Sequence, residues 1–177
     1  MITELPLRIG SLVVSPGVLD RSRGLLDPFR VRKVEGCLLW YGYVLDADTC
    51  IVTTCVCPAQ ASYSTRYAIR AESMRDVRQQ VRPHRLLMLL QIHSHPAAAF
   101  FSERDEEHAL NNRTGALNMI VPDYGNIRWI DTERFCVVER NNLGRWVRWS
   151  PEDWARLVTI PDALGFPADH GRHREAS

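Results

Sequence analysis

From Leu86 to Ile92 the chain reads Leu-Leu-Met-Leu-Leu-Gln-Ile, with neither proline nor glycine to interrupt it. A short run that is apolar at odd and even positions alike is how a β-strand buried on both faces reads, so it belongs inside a sheet with cover on either side. The strand runs directly into His93-Ser94-His95-Pro96. Side chains alternate across a strand with period two, so His93 and His95 face the same way and two imidazoles can converge on one metal ion without distorting the backbone. Asp105, shortly downstream, offers a third and harder ligand.

Three protein ligands rather than four define an open site, since a catalytic zinc keeps a tetrahedral position for water or substrate and a structural zinc is closed, usually by cysteine. Metal-bound water has a pKa near roughly 7, and the ion also polarises a carbonyl, so the expected chemistry is hydrolysis. The competing structural readings are specific. A buried histidine is commonly a hydrogen-bonded core residue, but two at i and i+2, ending an apolar strand and closing on Pro96, favour a ligand pair. Ser102-x-x-Asp105 also has the form of a helix N-cap with a capping box, which would place Asp105 in a first helical turn at fixed distance from the strand end. His108, three residues on, is a competing ligand of lower weight.

Composition narrows the function classes. At 177 residues the chain reads as one domain, and its net charge of +1 offers no electrostatic case for nucleic acid or a membrane surface. The amino-terminal Met-Ile-Thr-Glu-Leu-Pro lacks the pattern of a signal peptide and no long apolar span occurs, so a cytoplasmic protein is expected. The 5 cysteines are an odd set scattered through apparent strands, better read as buried free thiols than as a disulfide framework. Cys55-x-Cys57 lacks the second pair that a zinc site of that type needs.

Along the chain, Leu7 to Val14 reads as a strand and Gly17 to Lys33 as a helix despite Pro28. Glu35 to Val44 and Thr49 to Cys57 read as a hairpin around Leu45-Asp-Ala-Asp48. Pro58 to Tyr67 reads as a loop, and Ala71 to Val81 as a helix ended by Pro83. A helix from Ser102 to near Gly115 follows the metal strand. Strands are expected at Leu117 to Val121, Ile127 to Asp131, Phe135 to Arg140 and Trp146 to Trp149, with turns at Pro122–Gly125 and Asn141–Gly144. Pro151 to Val158 reads as a helix, and residues 161–177, with His170 and His173, as a frayed tail. Trp146, Trp149 and Trp154 are assigned to the core rather than to a partner surface.

These residues resemble the JAB/MPN-domain metalloproteases that carry a JAMM motif, of the bacterial, deubiquitinase-like kind. Glu35-Gly-Cys-Leu-Leu-Trp-Tyr-Gly42 matches the family's early glutamate and strand, His93-Ser-His95-Pro96 its histidine pair, and Ser102-Glu-Arg-Asp105 its Ser-x-x-Asp. The resemblance covers about residues 9–140, and Val121-Pro-Asp-Tyr-Gly is similar to the strand and turn that follow. It implies a single domain over residues 1–160 with a cytidine-deaminase-like α/β fold, a central mixed β-sheet flanked by helices. It implies that His93, His95 and Asp105 bind one catalytic Zn2+, that Glu35 is the general base, and that Ser102 helps stabilise the oxyanion. The spacer Ala97–Phe101 is one residue shorter than the family's commonest form and more apolar. The implied activity is cleavage of a peptide or isopeptide bond after the carboxyl-terminal tail of a ubiquitin-like protein. E1-like and E2-like proteins of antiviral operons are the implied partners. Two alternatives remain: a hydrolase on the same fold acting on a sulfur-carrier protein, a cell-wall peptide or a DNA-repair intermediate, and a non-catalytic MPN scaffold. The second usually lacks one or more of the five motif residues present here.

Overall fold

The centre of the molecule is set by the apolar strand: in the computed structural model, which describes residues 9–129 and 131–161, it is one of the two central strands of an eight-stranded mixed sheet. Strand β1 (Ser11–Val14) leads into helix α1 (Pro16–Arg32). The hairpin β2 (Cys37–Val44) and β3 (Thr49–Val56) comes next, followed by β4 (Gln60–Tyr63), β5 (Arg66–Ile69) and α2 (Ala71–Val81). Then come β6 (Leu87–Ser94), α3 (Glu103–Glu107), β7 (Leu117–Val121), β8 (Cys136–Arg140), β9 (Trp146–Arg148), α4 (Pro151–Leu157) and β10 (Val158–Thr159). The order across the sheet is β10-β1-β3-β2-β6-β7-β8-β9. β6 runs antiparallel to β2 and parallel to β7, and β1 is parallel to both β3 and β10.

Each face of the sheet has its own cover, as a central strand of this composition requires. On one face Leu38, Trp40, Leu90 and Ile92 pack with Val18, Leu19 and Leu26 of α1 and with Trp154 and Leu157 of α4. On the other, Cys37, Leu39 and Tyr41 pack against Met74, Val77 and Val81 of α2, with Tyr67 and Ile69 of β5 beside them. One buried polar contact ties α1 to the sheet: the Trp40 indole donates to Ser22 Oγ at 2.8 Å, and that hydroxyl donates to the Val18 carbonyl. The hairpin carries a bulge at Tyr41 and Gly42, where β2 shifts register against its neighbours. A Cβ on Gly42 would lie 1.8 Å from the Ile51 carbonyl oxygen, so the bulge admits only glycine.

Several expectations need correction. The segment Pro58 to Tyr67 is not a loop: Gln60–Tyr63 and Arg66–Ile69 form an antiparallel hairpin of their own, apart from the main sheet. Its half-buried residues Ser62, Tyr67 and Ile69 are interleaved with small and polar ones, a weak alternation that composition alone does not expose. Residues 127–129 and 131 are irregular rather than a strand, and the Ser102 helix ends at Glu107, well short of Gly115. Glu35 lies two residues before β2 rather than opening it. The entrance to β6 is not covered on both faces, Leu87 being 43% exposed. Trp154 is buried, while Trp149 and Trp146 are half-buried against the core clusters. All five cysteines are free thiols. Leu7 and Arg8, and the tail from residue 162 with His170 and His173, lie outside the described residues.

Candidate metal centre and active site

Three elements converge at the carboxyl end of β6. His93 and His95 project from the face covered by α2 and the β4–β5 hairpin, as their parity with Gln91 dictates, and Asp105 arrives from the first turn of α3. The His93 and His95 Nε2 atoms are 3.2 Å apart. Asp105 Oδ1 lies 3.1 Å from the first and Oδ2 3.6 Å from the second. Among the described residues this trio offers ligand atoms all within 4.8 Å of one another. Donors about 2.0–2.1 Å from a tetrahedral ion are roughly 3.3 Å apart, so the three side chains already outline one face of such a coordination shell. Two imidazoles and a carboxylate suit a borderline divalent cation, and the residues present therefore fit a metal ion.

Local chemistry explains why they are so placed. Ser102 caps α3: its Oγ accepts from the Asp105 amide at 3.2 Å, and Asp105 Oδ2 accepts from the Ser102 amide at 2.8 Å and from its hydroxyl at 2.7 Å. The capping box is present and is compatible with a ligand role, because the box occupies Oδ2 and leaves Oδ1 toward His93. It also means that the Ser102 hydroxyl proton is spent on Asp105, so any contact with an oxyanion requires that bond to be given up. Behind the histidines, His95 donates its amide to the Val121 carbonyl and its own carbonyl accepts from the Tyr124 amide at 2.7 Å. The second contact needs Tyr124 at φ 55° in the turn after Pro122.

Glu35 is held from two sides. Its amide donates to the Tyr63 carbonyl of the β4–β5 hairpin at 2.8 Å. Its neighbour Gly36 exchanges two bonds with Ser94, the residue between the histidines: the Gly36 amide donates to Ser94 Oγ at 2.9 Å and the Ser94 amide to the Gly36 carbonyl at 2.9 Å. Position 36 admits no side chain, since a Cβ would sit 2.5 Å from the Phe29 ring. The Ser94 clamp thus fixes the base candidate against the ligand strand. Ser94→Ala leaves the buried Gly36 amide without its acceptor and is expected to lower stability by about 1–3 kcal/mol, read from denaturant midpoints, with Ser94→Thr losing less.

Burial is the main influence on the charges here. Glu35, only 5% exposed, is pushed up to about 7 by desolvation, with the Asp105 charge adding to that and His95 and Arg104 opposing it. Burial also acts to raise Asp105, but hydrogen bonds from His93 and His95 outweigh it and hold the carboxyl well below the usual carboxylate range. Burial lowers His93, favouring the neutral ring that a metal ligand requires. Glu35, His95, Ser102 and Asp105 line one cavity of about 360 Å3, walled by Thr65 to Tyr67 on the hairpin side and by Pro96, Ala97, Ala98 and Phe100 on the other.

The family of prokaryotic homologs of the JAB domain matches residues 30–134, a stretch that includes every one of these side chains. The chain belongs to the JAB-domain metalloprotease family. Within it, the chain is 33% identical over 133 residues to the probable metalloprotease y4jG of Sinorhizobium fredii (strain NBRC 101917 / NGR234), covering 71% of this chain and 79% of that one. The JAB fold is shared with the solution structure of protein DSY2949 from Desulfitobacterium hafniense (TM-score 0.59, 15% identity, 87% of this chain and 95% of that one). A Salinibacter ruber (strain DSM 13855) protein is similar at TM-score 0.55 and 18% identity, over 85% and 92% of the two chains. No helix among the described residues of this JAB domain is long and apolar enough to cross a membrane.

The structure brings Glu35, His93, His95, Ser102 and Asp105 to one place. His108 is not among the clustered residues: it is exposed, lines the same cavity, and its Nδ1 donates to the Arg104 carbonyl at 2.9 Å. Supporting residues that sequence reasoning missed include Ser94 and Tyr67, whose ring packs 5.5 Å from that of His93 and whose hydroxyl accepts from Gln91 Nε2 at 2.9 Å. Gln60 braces the start of β2 through the Cys37 amide and carbonyl. Gln91 carried a readable signal, sharing the parity of His93 and His95 on one strand; Gln60 and Tyr67 carried none.

Proposed function

We propose that this JAB-domain protein is a zinc-dependent peptidase that cleaves after the carboxyl-terminal tail of a ubiquitin-like protein. The observation that carries the reading is that Glu35, a buried carboxylate from a distant part of the chain, shares a cavity with His95 and Asp105, two members of the clustered trio completed by His93. His93, His95 and Asp105 are assigned as the zinc ligands. A zinc ion held there supplies Lewis acidity toward water and the scissile carbonyl. Glu35 accepts the proton of the attacking water and returns it to the departing nitrogen, and a carboxyl poised near neutrality suits both transfers. Ser102 orients Asp105 in the resting protein and is assigned to the oxyanion once substrate is bound.

An extended tail reaches such a site by lying against the exposed β4–β5 hairpin and presenting its last carbonyl to the metal. E1-like and E2-like proteins encoded nearby are the partners this reading calls for. The test is incubation of zinc-loaded protein with ubiquitin-like precursors extended past their terminal glycine, with and without chelator, read by intact mass. Chelator-sensitive cleavage after that glycine is the expected result. Zinc-loaded protein that cuts no precursor, but hydrolyses a cell-wall peptide or a sulfur-carrier precursor, would replace the substrate assignment.

A further inference from the structure

The cavity carries charges that the hydrolytic step does not employ. Arg104, the residue before Asp105 on α3, and Arg66, at the tip of the β4–β5 hairpin, both line it. Among the described residues neither guanidinium is within ion-pair distance of a carboxylate. Arg66 lies over the uncharged Tyr63 ring at 4.5 Å. The carboxylates lining the cavity are Glu35 and Asp105, already placed in the proposed hydrolytic site, so the remaining charged side chains there are the two arginines. The facing wall is apolar, and its Phe100 is 55% exposed, edge-on to His95 at 4.7 Å between ring centres.

We infer that the cavity is built for a peptide whose free α-carboxylate lies one residue beyond the scissile bond, with Arg104 binding that carboxylate and Phe100 packing the departing side chain. This rests on the reading of Glu35 as the base. The leaving nitrogen must come within hydrogen-bond reach of Glu35 to receive its proton. In a carboxyl-terminal residue the carboxylate carbon is two bonds from that nitrogen, so the carboxylate falls beside Glu35. Arg104 lines the same cavity as Glu35. The ε-nitrogen of a lysine isopeptide carries only a methylene stem there and offers nothing for a guanidinium to pair with, whereas a carboxylate takes a bidentate pair. In the step, water adds its hydroxyl to the carbonyl carbon, the C–N bond breaks, and the water proton passes through Glu35 to the nitrogen, releasing one amino acid. The activity is thus trimming of a short carboxyl-terminal extension rather than removal of a conjugated protein.

The test is binding of fluorescent peptides ending in Gly-Gly-Leu, as the free acid and as the amide, to zinc-loaded Glu35→Gln protein, which holds substrate without turning it over. The acid is expected to bind about tenfold more tightly than the amide, and Glu35→Gln/Arg104→Gln protein to bind the two within about twofold. Equal affinities, no binding of the acid, or a preference that survives loss of Arg104 would overturn the inference, the last because the carboxylate then goes to the metal or to Arg66. Turnover by the unmutated protein separates this from the parent reading. Isopeptide or amide-ended substrates cleaved as fast as acid-ended ones would sink the carboxylate site and leave the peptidase. An acid preference in binding without any cleavage would do the reverse.

Discussion

Glu35→Gln protein is expected to keep its metal and lose about 10²–10⁴-fold in kcat, the range over which a positioned general base acts. The glutamine preserves the shape of a side chain that is 5% exposed and removes the ability to take a proton. None of the three candidate ligands is touched, so metal content by elemental analysis should stay at that of the parent. Turnover within tenfold of the parent at pH 7 would remove Glu35 from the mechanism.

The same substitution has a stability signature in metal-free protein. The Glu35 carboxyl is raised by burial from an ordinary 4.5 to about 7. A carboxyl raised on folding favours the folded state below its unfolded value, and that contribution disappears as pH rises through the folded value. Across roughly pH 4.5 to 7 the parent should therefore lose about 3 kcal/mol from this one group. Metal-free Glu35→Gln should match the parent below pH 4.5 and exceed it by up to that amount above pH 7, as measured by denaturant unfolding. A carboxylate kept at a cost in stability is what a functional site shows.

Removal of metal is expected to have the second large effect. At a free metal concentration about 1,000 times the dissociation constant, binding to the folded state alone contributes about 4 kcal/mol. For a chain of this size that corresponds to a fall in Tm of about 8–16 °C on chelation. His93→Ala should abolish the difference between chelated and metal-supplied samples, because the buried Nε2 that faces both Asp105 and His95 is gone. Coincident melting curves for the parent with and without chelator would mean that His93, His95 and Asp105 do not hold an ion.

The clustered trio of His93, His95 and Asp105 was legible in the chain because it rests on local rules. Period-two geometry on an uninterrupted apolar strand aims His93 and His95 together, and the cap chemistry of Ser102 and Asp105 sets the first turn of α3 in one conformation. Glu35 was legible only through the family resemblance, since no spacing rule connects it to residues so far along the chain. Its place comes from β2 pairing with β6, which sets Cys37 opposite His93 and brings Gly36 to Ser94.

The sequence by itself determined most strands of the main sheet, the paired histidines and the capped turn, all of which depend on side-chain alternation and hydrogen bonds within a few residues. Only the tertiary structure decided that the segment after Pro58 is a hairpin, that it lies over the site and grips Glu35 through Tyr63, and that Arg104 faces the cavity. Those contacts join residues far apart in the chain, and their energy comes from burial against surfaces that exist only once the sheet has formed. That is why the Gln60–Ile69 hairpin, half-buried and short, carries no pattern strong enough to announce itself in advance.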